Sequence, residues 1–460
     1  MPDTSKSQVP LKQAAEMAVS FATKAGAAEA DALIESGSQY TVNVHGGGIE
    51  QLKQAQTRGL GLRVFVDHKL GFVYTSDLRP DALKDIAEKA VALAKKSQPD
   101  EFAGLPGQPP GMLANADALE LFDPAVDSLS PEKKIAMAKD LEKAALAYDK
   151  RITRCDGCSL QTGIGETFFA SSAGAPISYR ATFIGMFVNP LADDGARQQS
   201  GNYGEFQRRI GLLGSPESIA KEAGRRAVER IGARGVPTQK VPVVLHPDIA
   251  GNWFQNMFNA FSGEQAFKKI SYLTEKVGQP IASELVTIVD DGTMKAGVGT
   301  APFDGDGLPT QKNLLVDKGV MKMFAYNAYW GRKAKVKSTG NAGRGYQNTP
   351  QIGSKNLYLA AGTSKLADIF KSVERGFYMV DQGAFGYNQT TGAYSYQAAG
   401  FWIENGAKAF PVQEITVAST TLEMLKNIVM VGDDLVFNGN VNSPTIKIAE
   451  MTVSGRESAG

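Results

Sequence analysis

Short runs of strand-forming residues, separated by glycine-containing turns, recur along most of this chain. The 460 residues include 49 glycines, against about 32 expected at roughly 7% average usage. The surplus lies in dipeptides and tight turns and not in one tract, which is typical of many short strands joined by hairpins. The chain is therefore constrained to fold around β-sheets.

The N-terminal half alternates this strand pattern with amphipathic helices. Residues 30–76 are predicted to form a strand meander, and strands resume from 152 to about 206. Helices are predicted at the N-terminus, after Pro80, over 130–148 and over 215–232. The last two begin with Ser-Pro-Glu, in which the serine can cap the helix and the proline occupies its first turn.

The C-terminal half is richer in strands, and only short helices are expected there, at about 248–262, 364–374 and 420–428. The sequence therefore predicts an α+β fold in two domains. Residues 1–232 form an N-terminal α+β domain with antiparallel strands and helices, and residues 233–240 form a linker. Residues 241–460 form a C-terminal β-rich domain with few short helices.

Charge and hydropathy exclude several classes of protein. Lys and Arg number 49 against 48 Asp and Glu, so the net charge of +1 provides no field that attracts nucleic acid or an anionic membrane. No run of about 18 apolar residues could span a bilayer. Glu16 and Ser20 interrupt any signal-peptide core at the N-terminus. We therefore expect a cytoplasmic protein with no direct nucleic-acid or membrane partner.

Metal ligands are scarce, with three histidines (His45, His68, His246) and two cysteines (Cys155, Cys158) in the whole chain. No two histidines have the i, i+4 spacing that places both on one helical face. The two cysteines have the spacing of a redox pair, but the residues around them indicate a strand and not a helix N-terminus. Two ordinary thiols are the favoured interpretation, and any role of these cysteines stays open.

Other motifs are better explained by ordinary structure. HGGG at 45–48 is similar to an esterase oxyanion motif, but the chain has no G-x-S-x-G nucleophile elbow. Four aspartates in turn-like segments lack the spacing of a calcium loop, so solvated turns are expected; they are Asp290, Asp291, Asp304 and Asp306. A basic run could grip a carboxylate or phosphate, or simply be solvated; it comprises Lys333, Lys335, Lys337 and Arg344.

The order of motifs in the C-terminal half resembles the TldD/PmbA family. The motifs are VVLHPDIAGNWFQNMFNAFSGEQA, LVTIVDDGT, APFDGDGLPTQKNLLVDKGVMKMF, STGNAGRG and DQGAFGYNQTTGAYSYQAAGFWIENG. The likeness covers nearly the whole chain and is strongest from residue 241 onward. This family contains two sister subunits, a TldD-like zinc metallopeptidase and a partner called PmbA or TldE, and the chain resembles the second.

The resemblance also locates the residues that a peptidase would need. The zinc sister carries H-E-x-x-x-H on the helix after the VVL strand, and a cysteine near its C-terminus completes the site. The matching positions here are Gln255, Asn256 and Ala260, and no cysteine follows Cys158. None of the three is a zinc ligand or a general base, since a neutral amide cannot take a proton from metal-bound water. The resemblance implies no cofactor in this chain and zinc in the partner subunit.

We therefore expect a catalytically silent, PmbA-like subunit of a cytosolic TldD-type metallopeptidase complex that degrades or processes unfolded peptides. The resemblance also links the family to peptide-antibiotic maturation and to modulation of DNA gyrase. An extended peptide could add as a strand near residues 381–400 and the loop 338–345. The substrate-cleft candidates are Ser338, Thr339, Gly340, Asn341, Tyr387 and Asn388.

Two alternatives stay open at this point. One is a stand-alone hydrolase, with a non-metal nucleophile or a metal held by the four aspartates named above. The other is a homo-oligomeric peptide-binding protein that has no peptidase partner. Whether the chain forms a homodimer when the sister is absent is also open.

Overall fold

The computed structural model describes residues 9–193, 195, 198–383 and 386–455. The longest helices lie in the N-terminal half, and the helices of the C-terminal half are short. The helices are α1 (Leu11–Lys24), α2 (Pro80–Lys96), α3 (Pro124–Asp127), α4 (Pro131–Ala147), α5 (Pro216–Val228), α6 (Pro247–Met257), α7 (Gly263–Phe267), α8 (Ala328–Ala334), α9 (Leu366–Lys371) and α10 (Thr421–Lys426). No helix in these residues is long and apolar enough to cross a membrane.

The N-terminal strands form one antiparallel sheet, with the order β3-β2-β1-β4-β5-β6 and with β7 also paired to β5. Long hairpins build its centre, because β1–β2 and β4–β5 each join strands of 17 to 20 residues. The strands are β1 (Glu29–His45), β2 (Gly48–Val66), β3 (Lys69–Thr75), β4 (Ile152–Ser171), β5 (Gly174–Asp193), β6 (Gln198–Ser200) and β7 (Tyr203–Gln207). The strand meander predicted for residues 30–76 is confirmed and consists of β1, β2 and β3.

Successive side chains of a strand point to opposite faces of the sheet, and the two faces pack against different parts of the chain. Even-numbered residues of β1, such as Ala32 and Val42, are buried under the helices α1, α2, α4 and α5. Odd-numbered residues point to the opposite face, where Leu33 packs against Phe303 of the C-terminal half. The second face of the sheet is therefore the junction between the two halves of the chain.

The C-terminal half consists of a β-barrel and a second sheet. The remaining strands are β8 (Gln239–Leu245), β9 (Ile288–Asp291), β10 (Lys312–Asp317), β11 (Val320–Met321), β12 (Ala342–Gly343), β13 (Gln351–Ile352), β14 (Leu357–Leu359), β15 (Arg375–Gln382), β16 (Ala393–Glu404), β17 (Ala407–Thr420), β18 (Ile428–Val431), β19 (Val441–Asn442) and β20 (Ile446–Ser454). Strands β17-β16-β15-β8-β20 close into a barrel because β17 also pairs with β20. The second sheet has the order β11-β10-β9-β14-β19.

The α+β fold predicted from the sequence is confirmed, including a strand-rich C-terminal region with few short helices. The helices expected at 248–262, 364–374 and 420–428 correspond to α6, α9 and α10. The expectation of only three helices in this half was wrong, because α7 and α8 also form there. They are five and seven residues long, too short to display a helical repeat. The proposed linker 233–240 contains the first residues of β8, which begins at Gln239.

Candidate functional site

Helix α6 begins directly after β8, and its start is capped by a histidine. His246 Nδ1 accepts a hydrogen bond from the backbone N–H of Asp248 at 3.2 Å, and Pro247 occupies the first helical position. Burial lowers the pKa of His246 to about 4, so the ring is neutral and able to accept this bond. His246 therefore caps α6 as a neutral hydrogen-bond acceptor.

The buried face of α6 belongs to the core that the helix shares with the barrel strands. Trp253, Phe254 and Met257 are fully enclosed there, and a 3₁₀ turn over Phe258–Phe261 continues the same apolar face. The spacing of these side chains follows the helical repeat, which explains why the sequence predicted this helix. Packing fixes the direction in which the other side chains of α6 project.

The three positions that match the peptidase motif have three different surroundings. Gln255 is exposed and lines a cleft. Asn256 donates from Nδ2 to the hydroxyl of Tyr396 at 3.2 Å. Ala260 is only 2% exposed, and its carbonyl accepts a hydrogen bond from Ser271 Oγ at 2.7 Å. An amide, an amide and a methyl group do not fit a zinc ion, which takes imidazole, thiolate or carboxylate ligands.

A chain of hydroxyl groups lies beside this helix. The hydroxyls of Tyr272 and Tyr387 are 2.7 Å apart, Thr421 Oγ1 donates to Tyr387 Oη at 3.4 Å, and Trp253 Nε1 donates to Thr421 Oγ1 at 3.3 Å. Burial raises the pKa of both tyrosines, so the hydroxyls stay protonated. Tyr387 was among the site residues predicted from the sequence, and Trp253 was predicted as part of the buried face of α6, whereas Tyr272 and Thr421 were not identified.

Tyr396 was also missed, although the sequence held a signal for it. Tyr394 and Tyr396 alternate in AYSYQ, which places both on the same side of β16. Both are buried in the barrel core, with ring centroids 4.7 Å apart. The Tyr-x-Tyr spacing thus marks a strand whose inner face is aromatic.

A cleft of about 530 Å³ opens beside α6, between the two halves of the chain. Its lining includes Gln255 of α6 and Asn438 of the loop before β19. Arg226 also lines it and makes ion pairs with Glu222 and Asp248, both at 2.7 Å. None of the substrate-cleft candidates predicted from the sequence belongs to the described lining of this cleft.

The candidate loop that starts at Ser338 is largely internal. Thr339 Oγ1 donates to Asn341 Oδ1 at 2.6 Å, and Asn341 Nδ2 donates to Asp290 Oδ2 at 2.6 Å. Thr339, Gly340 and Asn341 are buried and Ser338 is half-buried. Gly340 has φ +71°, and a Cβ there would lie 2.9 Å from the carbonyl oxygen of Pro309, so only glycine fits. The bond from Asn341 to Asp290 attaches this loop to β9 of the second sheet.

The other two candidates lie on the segment before β16. Tyr387 is buried in the hydroxyl chain described above, whereas Asn388 is exposed. Asn388 Oδ1 accepts hydrogen bonds from the backbone N–H groups of Thr390 and Thr391, both at 3.0 Å. Residues 384 and 385, which belong to the same predicted strand-addition region, lie outside the described part of the chain.

The aspartates expected in solvated turns are buried, so that expectation was wrong. Asp304 accepts three backbone hydrogen bonds, from Asp306, Leu308 and Ala342, at 2.9 to 3.1 Å. Burial and the negative charge of Asp306 raise the pKa of Asp304 to about 7. Burial likewise raises the pKa of Asp290 to about 6. These carboxylates are engaged by protein donors, which explains how they tolerate burial.

A buried ionic cluster joins this region to the N-terminal sheet. Asp31 of β1 pairs with Arg63 of β2 and, at 2.7 Å, with Arg344. Arg63 also pairs with Asp306 at 3.0 Å. Next to the cluster, a Cβ on Gly61 of β2 would lie 2.2 Å from the Tyr346 carbonyl oxygen, so glycine is required for this close approach.

Both ends of the basic run form ion pairs, whereas its two middle lysines are exposed. Arg344 is taken up by the ionic cluster, and Lys333 pairs with Asp100 at 3.3 Å and lies 4.7 Å from the ring centre of Tyr329. Lys335 and Lys337 are exposed. Of the four basic residues that could have bound an anion, only the two middle lysines therefore remain exposed.

The remaining sequence motifs have structural roles. Glu142 accepts the backbone N–H groups of Gly46 and Gly47, both at 2.8 Å, so the HGGG turn binds an internal carboxylate. Cys155 and Cys158 are buried free thiols on β4, and burial raises the pKa of each to about 12. Within 9–193, 195, 198–383 and 386–455, no three His, Cys, Asp or Glu side chains meet in a way that could hold a metal ion.

Comparison with known proteins covers nearly the whole chain. The domains of a family described as PmbA/TldA metallopeptidase match in order, with domain 1 at residues 30–94, the central domain at 124–231 and the C-terminal domain at 238–455. A Haemophilus influenzae protein named metalloprotease PmbA homolog is 30% identical and covers 97% of this chain and 96% of its own. Metalloprotease PmbA of Escherichia coli O157:H7 is 29% identical over 96% of both chains.

Solved structures have the same fold. A Bacteroides thetaiotaomicron protein, described as a proposed modulator of DNA gyrase, superposes with a TM-score of 0.87 at 26% identity and covers 97% of this chain and 99% of its own. TldE from Thermococcus kodakarensis superposes with a TM-score of 0.88, covering 96% of this chain and 100% of its own. The second likeness, at 23% identity, establishes the fold alone.

Proposed function

The chain belongs to the PmbA/TldD metallopeptidase family, and from this premise we propose that it is a non-catalytic, PmbA-like subunit of a cytoplasmic complex with a TldD-type zinc peptidase. The observation that carries the proposal is the state of α6. Gln255 faces the cleft, Asn256 bonds Tyr396, and Ala260 is enclosed in the core. A catalytic zinc needs about three protein ligands and a position for water, and none of these three positions offers such a ligand.

The substrate class that we propose is unfolded or flexible peptide, bound in extended form. Exposed Asn388 is our candidate for direct contact, and Tyr387 positions the segment from inside through its hydroxyl bonds. Of the candidates in the other loop, only half-buried Ser338 has surface available to a peptide, because Thr339, Gly340 and Asn341 are buried. The zinc and the attacking water belong to the sister subunit in this proposal.

The names of the curated relatives favour a second candidate, in which the chain hydrolyses peptides by itself. Both relatives described above are named metalloproteases. A metal held by Asp290, Asp304 and Asp306 would have to displace the backbone, amide and guanidinium donors that now engage them. This competition supports the non-catalytic proposal over the second candidate.

Expression with and without the HExxxH-bearing sister from the same genome tests the proposal. We expect the isolated chain to contain substoichiometric zinc and to leave unfolded casein intact. The co-purified complex should hydrolyse casein, and a chelator should stop it. Robust chelator-sensitive turnover by the isolated chain would establish the second candidate. Failure to associate with the sister would favour a homo-oligomeric peptide-binding protein.

A role near DNA gyrase would, in this proposal, act through peptides and not through DNA contact. The net charge of +1 supports this view, because DNA-binding surfaces are usually strongly basic. We expect no shift of duplex DNA in an electrophoretic assay at physiological salt. A shift at sub-micromolar protein would contradict this part of the proposal.

A further inference from the structure

One edge of β7 is completed by a side chain instead of a strand. Strand β7 pairs with β5 along its inner edge. On its outer edge, the backbone N–H of Phe206 donates to Asn438 Oδ1 at 2.9 Å, and Asn438 Nδ2 donates to the carbonyl of Gly204 at 2.8 Å. A carboxamide carries the same donor and acceptor as a peptide group. Asn438 therefore occupies the place that one peptide group of a neighbouring strand would take.

The loop that carries Asn438 is anchored at its ends and exposed in its middle. Asp434 accepts hydrogen bonds from Thr445, through the backbone N–H at 2.8 Å and the hydroxyl at 2.6 Å. The backbone N–H of Asn438 donates to Asn442 Oδ1 at 2.7 Å. Between these anchors, Val436 is 71% exposed. Val436 thus has little contact to lose if Asn438 turns away from β7, whereas Phe437 packs against the ring of Tyr358 and accepts a hydrogen bond from Gln207 Nε2 at 3.0 Å.

Three adjoining cavities meet at this edge, with volumes of about 530, 550 and 340 Å³. Asn438 lines all three, and the first of them extends to Gln255 of α6. A chain following β7 would therefore pass from open surface to the helix that matches the peptidase helix of the family. The three cavities share Asn438 in their lining, so displacement of its side chain would connect them along one strand edge.

The lining combines apolar surface with charges that already have partners. Phe187 is 42% exposed and Leu212 is 53% exposed, large fractions for such side chains. Arg226 is engaged by Glu222 at 2.7 Å, and Lys295 by Glu120 at 2.8 Å. The site consequently offers backbone hydrogen bonds and apolar contacts, which any extended peptide can use, and does not select for charge.

We propose that the outer edge of β7 is a binding site for an extended polypeptide, which replaces the Asn438 carboxamide and runs along the cleft toward Gln255. The inference rests on the proposed function, because its ligand is the same class of unfolded peptide. The peptide would replace the two hydrogen bonds of the Asn438 carboxamide with two of its own, and this exchange changes the free energy little. Burial of Phe187, Leu212 and Val436 supplies the net free energy of binding.

Fluorescence anisotropy with a labelled, apolar ten-residue peptide and the purified full-length chain tests the site. The matched probe is the same peptide N-methylated at every second backbone nitrogen, which cannot pair with a strand edge. We expect the parent peptide to bind at least tenfold more tightly than the methylated one. This comparison uses the unaltered protein, so it does not depend on the folding of a variant.

Three variants localise the binding. Asn438→Ala removes the competitor for the edge, and the peptide should bind about fivefold more tightly, as expected for about 1 kcal/mol. Phe206→Pro removes the N–H donor and should weaken binding at least tenfold. Asn440→Ala, in the same loop, leaves both bonds to β7 in place and should change nothing.

Equal affinity for the two peptides, no binding of the parent peptide, or unchanged affinity in both Asn438→Ala and Phe206→Pro would overturn the inference. So would loss of sister association, with unchanged peptide binding, in Phe206→Pro, since the edge would then belong to the subunit interface. The proposed function fails separately, through absent sister association or turnover by the isolated chain. A complex that hydrolyses casein while the β7 variants bind peptide normally would refute only this inference.

Discussion

Asn256 of α6 donates a hydrogen bond to the hydroxyl of Tyr396 on β16, over a distance of 3.2 Å. The resemblance to the TldD/PmbA family aligns Asn256 with the glutamate that would activate water in the zinc sister. Here the same position connects the helix to the aromatic inner face of the barrel. In our proposal, the contact is a structural use of a position at which the resemblance places the general base of the TldD-type peptidase.

This contact predicts a difference between two asparagines one helical turn apart. Asn256→Ala removes the bond to Tyr396 and should lower the free energy of unfolding by about 1 kcal/mol, the usual net value of such a bond. Asn252→Ala is the matched control, because Asn252 is exposed on the same helix. Urea denaturation of both variants checks the prediction. Equal losses in the two variants would show that the bond contributes nothing.

Restoring the motif residues should not restore a peptidase. The triple variant Gln255→His, Asn256→Glu, Ala260→His still lacks the cysteine ligand that the zinc sister has. Ala260 is enclosed, so an imidazole there should also destabilise the fold by about 1–3 kcal/mol. Zinc content and casein hydrolysis of the purified variant measure the outcome. Stoichiometric zinc with chelator-sensitive hydrolysis would contradict our interpretation of α6.

The ionic cluster between the two halves should contribute much more than an exposed ion pair. Arg344→Ala leaves Asp31 buried with one arginine instead of two, and we expect a loss of about 3–5 kcal/mol. Arg154→Ala removes a surface pair with Asp156 at 2.7 Å and should cost less than about 1 kcal/mol. Urea unfolding of the two variants compares these values directly. Similar small losses would mean that the cluster is not a stabilising junction.

Asp304 should make the protein less stable as the pH rises. Its pKa is raised to about 7 by burial, whereas an unfolded aspartate titrates near pH 3.9. Between these values the folded state holds a proton that the unfolded state has released, so stability is lost from about pH 4 to about pH 7. Asp304→Asn removes this titration. Urea midpoints measured from pH 4.5 to 7.5 should fall more steeply for the wild type than for the variant; parallel curves would refute the assignment.

His246 should have the opposite pH dependence in nearly the same range. Burial lowers its pKa to about 4, below the value near 6.5 expected for the unfolded chain. The unfolded state therefore takes up a proton first as the pH falls from about 6.5, and stability is lost on acidification. His246→Asn keeps a capping acceptor without titrating. The wild type should lose stability relative to this variant as the pH falls from 6.5 to 4, and a constant difference would argue against a neutral capping histidine.

Local patterns in the sequence were sufficient to predict helix α6 and to predict that the residues of the peptidase motif are missing from its region. The spacing of Trp253, Phe254 and Met257 predicts a buried face, and the amides of Gln255 and Asn256 cannot serve as the imidazole ligand and the general base of the peptidase motif, whatever the fold. The same holds for the caps, since Ser130 accepts from the backbone N–H of Lys133 as its Ser-Pro-Glu motif indicates. These features depend on residues within a few positions of one another.

The features that sequence analysis missed depend on partners far away in the chain. FDGDG reads as a solvated turn, yet Asp306 is buried because Arg63, 243 residues earlier, is its counter-ion. Asn438 gives no local sign of its bonds to Gly204 and Phe206, which lie more than 230 residues earlier. A polar residue in a loop usually faces water. Only the packing of the two halves turns these residues into internal contacts.

The pairing of Arg344 with Asp31 also orders events in time as the protein is made. The two residues are 313 positions apart, which at about 5–20 residues per second corresponds to tens of seconds of synthesis. Throughout that interval, the odd-numbered face of the N-terminal sheet, with Leu33 and the glycines of β2, has no partner to cover it. The first domain to leave the ribosome is thus the one that waits longest for its final contacts, so early chaperone binding should concentrate on that face.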